Sequence, residues 1–407
     1  MSVGVSGEVT DEVYAGFFPY YAEICALSEL RKKAGHGVPV RSGMGGHSLL
    51  YLNGVGLDRA AGYPTLRLCE PDGEPARHGV GLSVNSHYKN AKWVAAEGRD
   101  FIWRGALAPG ERLSAEAYDR TQHYAKSIGV LEGVAFHDEL FRDKPRGMSE
   151  TDYMYEISVA TDYAVRFGRN TYRARIPLDY RRMATIVRYL NGLNEPYRDG
   201  KKVFRWRLFN DNCSHVAHNA LAEADVWKPW PIGEWFVTAA FKFPVPKNEF
   251  VDLVLRANDL PIDDPRAIYR DEVARRALLD MDVLPTAPGA LAISTQAIRD
   301  NDVYETRRLR LIFYDKSLRR PYYRHFRRIF NEPRYVDLRA NLKHFAAVYR
   351  SAHERSAAFK AAGPGSDEQA RFHASYERNI DREAEKIRQI LESLDPATPI
   401  RHWWRRE

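Results

Sequence analysis

Val203-Phe-Arg-Trp-Arg-Leu-Phe-Asn-Asp-Asn-Cys213-Ser-His-Val-Ala-His-Asn-Ala-Leu-Ala-Glu-Ala224 is the most informative stretch of the chain. Its first seven residues read as a strand, Asn210-Asp211-Asn212 turn the chain, and Cys213 to Ala224 reads as a helix with Val216, Ala220 and Leu221 apolar. Cys213 thus falls at or near the first helical position. A thiol there meets unsatisfied N–H groups and the positive end of the helix dipole, which favour thiolate and make a nucleophile near neutral pH. The same N–H groups can serve an oxyanion, with Asn212 and Ser214 beside the thiol as positioning residues. Such a nucleophile needs an imidazole within hydrogen-bond reach, which can lie far away in sequence. His47 fits, because it stands at the mouth of a strand, His47 to Val55, after Gly43-Met-Gly-Gly46, where small residues let a substrate approach closely.

Outward from these two motifs the chain alternates strand and helix patterns. Residues 10 to 34 carry Val13, Phe17, Tyr20, Tyr21, Ile24, Leu27 and Leu30 at near-helical spacing, with Pro19 as an irregularity, and predict a helix. Strands are expected at Thr65 to Cys69, Val80 to Asn85, Lys92 to Ala96 and Asp100 to Arg104. A helix near 114 to 128 precedes a hairpin-like pair, Tyr153 to Ala160 and Tyr172 to Ile176. Met183, Ile186, Val187, Leu190 and Leu193 share one face of a helix over 179 to 193, with Asp179 as its cap. Beyond residue 260 the texture becomes helical, and two helices near 336 to 362 and 367 to 394, joined by Gly363-Pro-Gly-Ser366, predict an αα-hairpin. The expected class is α+β: an antiparallel sheet packed with helices over residues 1–260, then a basic, mainly helical region over 261–407.

Gly46-His47-Ser-Leu-Leu-Tyr-Leu followed far downstream by Asn212-Cys213-Ser214-His215 resembles the circularly permuted branch of the NlpC-type, papain-like thiol hydrolases. Lecithin:retinol acyltransferase-like proteins belong to that branch. The resemblance spans about residues 40 to 225, where the histidine strand precedes the cysteine helix. It implies a permuted papain-like fold and a bacterial member of the group, with Cys213 as nucleophile and His47 as base. It also implies a third polar residue that orients the imidazole. Asn85 and His87 share a face of the strand beginning near Val80, and Glu70 ends the strand before it; His87 is favoured. The implied activity is hydrolysis or acyl transfer at an amide or ester of a peptidic or acyl substrate, without a cofactor. The competing reading is a catalytically silent scaffold of the same fold.

Other classes find less support. Cys213, His215 and His218 could supply metal ligands together with His47, but no CxxC or HExxH accompanies them, so no metal is expected. The glycines at 43 to 46 lack the Gly-Lys-Ser/Thr of a phosphate loop. Three cysteines are too few for a disulfide framework, and Cys25 and Cys69 are expected to pack. With a mean hydropathy of −0.51 and a best apolar run of only Trp235 to Phe241, no spanning helix is expected. The start of the chain lacks a signal-like segment, which predicts a cytoplasmic protein. Of the net charge of +7, the whole surplus lies late: 23 Lys and Arg face 15 Asp and Glu from 301 to 407, leaving 38 against 39 before it. Arg319, Arg320, Arg327 and Arg328, interleaved with Tyr322, Tyr323 and Phe326, are therefore the expected contact with an anionic membrane surface, ahead of nucleic acid because no nucleic-acid motif accompanies them.

Overall fold

Pro19 ends the first helix early, and Tyr21-Ala-Glu-Ile-Cys-Ala-Leu27 after it is buried at every position. A segment covered on both faces has no polar side, so its apolar spacing cannot separate helix from strand. In the computed structural model, which describes residues 10–43, 45–207, 211–231, 245–313, 321–361 and 366–394, it is a central strand. The fold is α+β, an antiparallel sheet with helices on both faces and a helical C-terminal region.

The described strands are β1 (Tyr21–Leu27), β2 (Leu30–Arg31), β3 (Arg41–Ser42), β4 (His47–Asn53), β5 (Val55–Leu57), β6 (Leu66–Leu68), β7 (Gly79–Ser83), β8 (Val94–Glu97), β9 (Thr171–Pro177) and β10 (Leu291–Thr295). Six form the main sheet in the order β10-β9-β1-β4-β7-β8, every neighbouring pair antiparallel. β10 pairs with β9, so the sheet draws strands from both sides of the boundary expected at 260. The helices are α1 (Asp11–Phe17), α2 (Arg99–Arg104), α3 (Ala115–Ser127), α4 (Glu150–Ser158), α5 (Tyr180–Arg198), α6 (Cys213–Glu223) and α7 (Pro246–Asn258). After them come α8 (Pro265–Arg270), α9 (Glu272–Met281), α10 (Tyr322–Asn331), α11 (Pro333–Val336), α12 (Leu338–Ala361) and α13 (Asp367–Ser393). Among the described residues no helix is long and apolar enough to cross a membrane.

Several elements differ from the sequence reading. Residues 99–104 and 150–158 are helices where strands were expected. The second carries a start signal in Ser149, whose hydroxyl accepts from the Asp152 N–H at 3.0 Å. Residues 203–206 carry no strand, and Arg207 makes an isolated bridge to Asp211. The helix after Asp179 runs to Arg198, with the Asp179 carboxylate accepting from the Arg182 N–H at 2.8 Å. The predicted αα-hairpin is α12 packed on α13.

Strand alternation sorts the polar residues of β4 between the two faces. Ser48 lies opposite Ala26 of β1, under α6, and Ala26 in turn lies opposite Tyr172 of β9, under α7. His47, Leu49 and Tyr51 belong to the other face, where Gly81 of β7 gives room for Ile102 of α2.

Candidate functional site

The site is assembled where β4 begins and α6 begins. Gly46 enters β4 with φ +71°, and a Cβ built there would lie 2.2 Å from the Leu27 carbonyl oxygen, so only glycine lets the strand start against β1. The next residue is His47. On the facing helix Asn212 is the N-cap, its side-chain oxygen accepting from the N–H groups of Ser214 at 2.9 Å and His215 at 3.2 Å. That cap fixes Cys213 as the first residue of α6, as the sequence predicts. The Ser48 and Ser214 hydroxyls lie 2.9 Å apart and tie the helix start to β4.

The Cys213 sulfur is surrounded by donors. The N–H groups of Ser48, Ser214 and Cys213 itself and the Ser48 hydroxyl lie around it and favour thiolate. Burial outweighs them and leaves the thiol above its ordinary pKa. Cys25 and Cys69 have the reverse environment, with their thiols donating to the carbonyl oxygens of Glu23 at 3.7 Å and Gly73 at 3.0 Å, which stabilises the protonated form. Of the three cysteines, Cys213 is the one whose surroundings are built for a negative sulfur.

The His47 ring belongs to a second chain of contacts. Ser83 donates its hydroxyl proton to Asp162 at 2.6 Å, so the Ser83 oxygen accepts from His47 Nε2 at 2.8 Å. This fixes the tautomer: Nε2 carries the proton and Nδ1 the lone pair. Asp162 is buried and also accepts from Asn85 Nδ2 at 2.9 and 3.1 Å. Burial, then the nearby Arg169 cation and His87, push the imidazole down to about 3, so it rests neutral. The Arg169 side chain, itself buried, donates to the carbonyl oxygens of Ala160 and Ser28, and its charge is felt by His47, Asp162 and Cys213.

The two halves meet at one peptide unit. The Ser48 N–H that favours the Cys213 thiolate belongs to the peptide that follows the His47 Cα. Among the described residues no hydrogen bond joins His47 to Cys213, and both residues are 9 % exposed.

The remaining expected site residues fall as follows. The strand carrying Asn85 and His87 ends at Ser83, and the partner of the His47 ring is Ser83 in place of the favoured His87. His87 packs its ring 5.6 Å from that of Phe136, its Nδ1 is buried without a partner among the described residues, and burial lowers its pKa. Asn85 supports Asp162 from behind, and Glu70 accepts from the Tyr180 hydroxyl at 2.8 Å, apart from this cluster. His215 approaches Asn212 at 3.2 Å, and His218 is stacked between Trp227 and Trp230 with its ring nitrogens at Glu249 and the Lys228 carbonyl. Neither is grouped with Cys213 as a ligand set, and among the described residues no three His, Cys, Asp or Glu are arranged to hold a metal. Arg328 pairs within the chain, with Asp259 and with Glu332 at 3.2 Å, whereas Arg327 is exposed. Arg319 and Arg320 lie outside the described residues. Sequence reasoning missed Ser83, Asp162 and Arg169. The first is legible as the polar residue that β7 would carry on the His47 face, but nothing near Asp162 or Arg169 in sequence marks them.

Comparison with known proteins adds no assignment: no protein-family model, no curated protein and no solved structure matches the chain.

Proposed function

We propose that the protein is a cysteine-dependent hydrolase or acyltransferase acting on an amide or ester through an acyl-enzyme on Cys213. The observation that carries this reading is the place of Cys213 at the capped start of α6, where nearby N–H groups and the Ser48 hydroxyl favour its thiolate, set against the carbonyl environment of the other two thiols. By this reading the chain is a permuted NlpC-type thiol hydrolase.

The resting pair is neutral thiol and neutral imidazole, since burial disfavours both ions. The proton therefore leaves sulfur only as the new bond forms. Sγ attacks the substrate carbonyl while His47 Nδ1 takes its proton, and the imidazolium is stabilised through Ser83 by the Asp162 carboxylate. Donors released by the sulfur hold the tetrahedral oxyanion. Collapse expels the amine or alcohol, which takes the proton from Nδ1 and leaves a thioester on Cys213. Water or a second nucleophile then attacks that thioester, with His47 again as base, and the thiol returns.

The test is labelling with electrophilic acyl and peptidyl probes and mapping of the modified residue. Cys213 takes the label ahead of Cys25 and Cys69, and His47→Ala slows it by about 100-fold with the fold intact. Equal labelling of the three thiols overturns the reading. One observation favours a second reading, a silent scaffold: no hydrogen bond joins His47 and Cys213 among the described residues, and both are nearly covered. A scaffold would leave Cys213 unlabelled and would dock on an anionic membrane through the basic helical region. There Arg327 is exposed and Arg328 already paired, so Arg327→Glu would weaken sedimentation with anionic vesicles.

A further inference from the structure

Lys247 is the second residue of α7, and its side chain is enclosed by aromatic rings. Its Nζ lies 4.0 Å from the Phe313 ring centroid, 4.2 Å from Phe326 and 5.1 Å from Tyr172. Its one hydrogen-bond acceptor among the described residues is the Leu311 carbonyl at a long 3.4 Å, and no described carboxylate pairs with it. The residue is 9 % exposed. A buried ammonium ion without a counter-ion is costly, and ring faces compensate it only in part.

Its place in the fold relates it to the thiol. Ser48, at the Cys213 sulfur, and Tyr172, under the Lys247 ammonium, both pair with Ala26, from opposite sides of β1. With strands about 4.8 Å apart, the two lie on the same sheet face at a spacing on the order of 10 Å. The residues between them are apolar: Ala26 and Phe250, both buried, with the Tyr172 ring beside them. Leu311, whose carbonyl meets the ammonium, also packs against Gly46 beside His47.

We propose that Lys247 is a specificity-determining residue of the Cys213 site, supplying the counter-charge for a substrate whose acyl portion ends in a carboxylate. This rests on the thiol reading above. A single ammonium matches a monoanion, whereas a phosphate dianion would leave charge unmatched in the same aromatic enclosure. Burial lowers the Lys247 pKa to about 8, which still leaves a cation at neutral pH. The substrate that fits has an apolar or aromatic body between the reacting carbonyl and the carboxylate, on the scale of the Ser48 to Tyr172 spacing.

Two thiol reagents of one shape test this: N-phenyliodoacetamide and its 4-carboxylate, with rates at Cys213 normalised to those on N-acetylcysteine. The carboxylate reagent reacts about fivefold faster or more in the unmodified protein. Lys247→Met returns the ratio to the reference value, and Lys247→Arg keeps part of it. A ratio equal to that on N-acetylcysteine in the unmodified protein overturns the proposal without any variant, and so does a preference that survives Lys247→Met. Failure of both reagents to modify Cys213 instead overturns the thiol reading, and this one with it.

Discussion

Two polar clusters are buried against the same sheet, and they are built on opposite terms. In the first, Glu23 of β1 meets Arg99 at 2.9 Å, Arg175 at 2.6 Å and Arg173 at 3.3 Å, while Asp11 of α1 joins the same arginines. Burial alone would raise the Glu23 pKa, but the three guanidinium groups overcome it and hold the carboxyl at about 2. Tyr14, Tyr21 and Tyr51 cover the guanidinium faces. In the second cluster, around His47 and Cys213, burial drives both titratable groups away from their ions, although donors for the charged sulfur are already in place. The first cluster keeps its ions because each is matched, which is what architecture requires. The second keeps neutral groups among partners that suit charge, so charge is favoured there only when a reaction creates it.

The largest test of that contrast is Glu23→Ala. It leaves three buried arginines facing Asp11 alone, and removing one side of a buried ion network costs about 3–5 kcal/mol. Guanidinium denaturation should show that loss, while Cys213→Ala costs about 1 kcal/mol. Similar costs for the two variants would erase the distinction.

Acid separates the clusters next. The folded chain withholds a proton from His47 until about pH 3, and burial holds His215 down to about 4, whereas an unfolded histidine takes one near 6.5. The stability gained from keeping them neutral is therefore present above about pH 6.5 and is lost as pH falls toward 3. The Glu23 network persists further, to about pH 2. The free energy of unfolding should fall across pH 6.5 to 4 by about 3 kcal/mol for each of the two histidines, and His47→Gln should flatten part of the slope. A flat profile in the unmodified protein would contradict a neutral buried imidazole.

How much of this was legible in the sequence follows from the same physics. The Cys213 helix start could be read because capping is local: Asn212 and its two N–H partners lie within three residues. The α5 cap at Asp179 was legible for the same reason. β1 was not, because a strand buried on both faces shows no alternation and its apolar residues also fit a helical period. The support of His47 was hidden for a different reason. Ser83 and Asp162 meet across 79 residues, and Arg169 reaches Ser28 across 141, distances that only the folded sheet closes.

Asp162 carries the next prediction. It accepts the Ser83 proton and two contacts from Asn85, and it lies near the Arg169 charge. Asp162→Ala leaves Ser83 free to reverse its hydroxyl and Arg169 without its carboxylate. The expected cost is about 2 kcal/mol in stability, with a loss of Cys213 acylation beyond what that accounts for. Normal acylation in a folded Asp162→Ala would show that the Ser83 contact is structural only.

The smallest effect is the most discriminating, because it separates the helix start from the strand as the source of thiolate support. Ser48 has two groups that favour the Cys213 thiolate, an N–H that any residue would keep and a hydroxyl that alanine would remove. The same hydroxyl lies 2.9 Å from that of Ser214, so it is held in place whether or not the sulfur is charged. Ser48→Ala should leave stability within about 1 kcal/mol and raise the midpoint of the Cys213 alkylation profile by about half a pH unit to one. Cys25 and Cys69 serve as internal references, since their sulfurs donate to backbone carbonyls that the substitution does not touch. An unmoved midpoint would assign the thiolate support to the backbone donors alone, and a midpoint that fell would mean that the hydroxyl accepts from the thiol, reversing the polarity on which the catalytic reading depends.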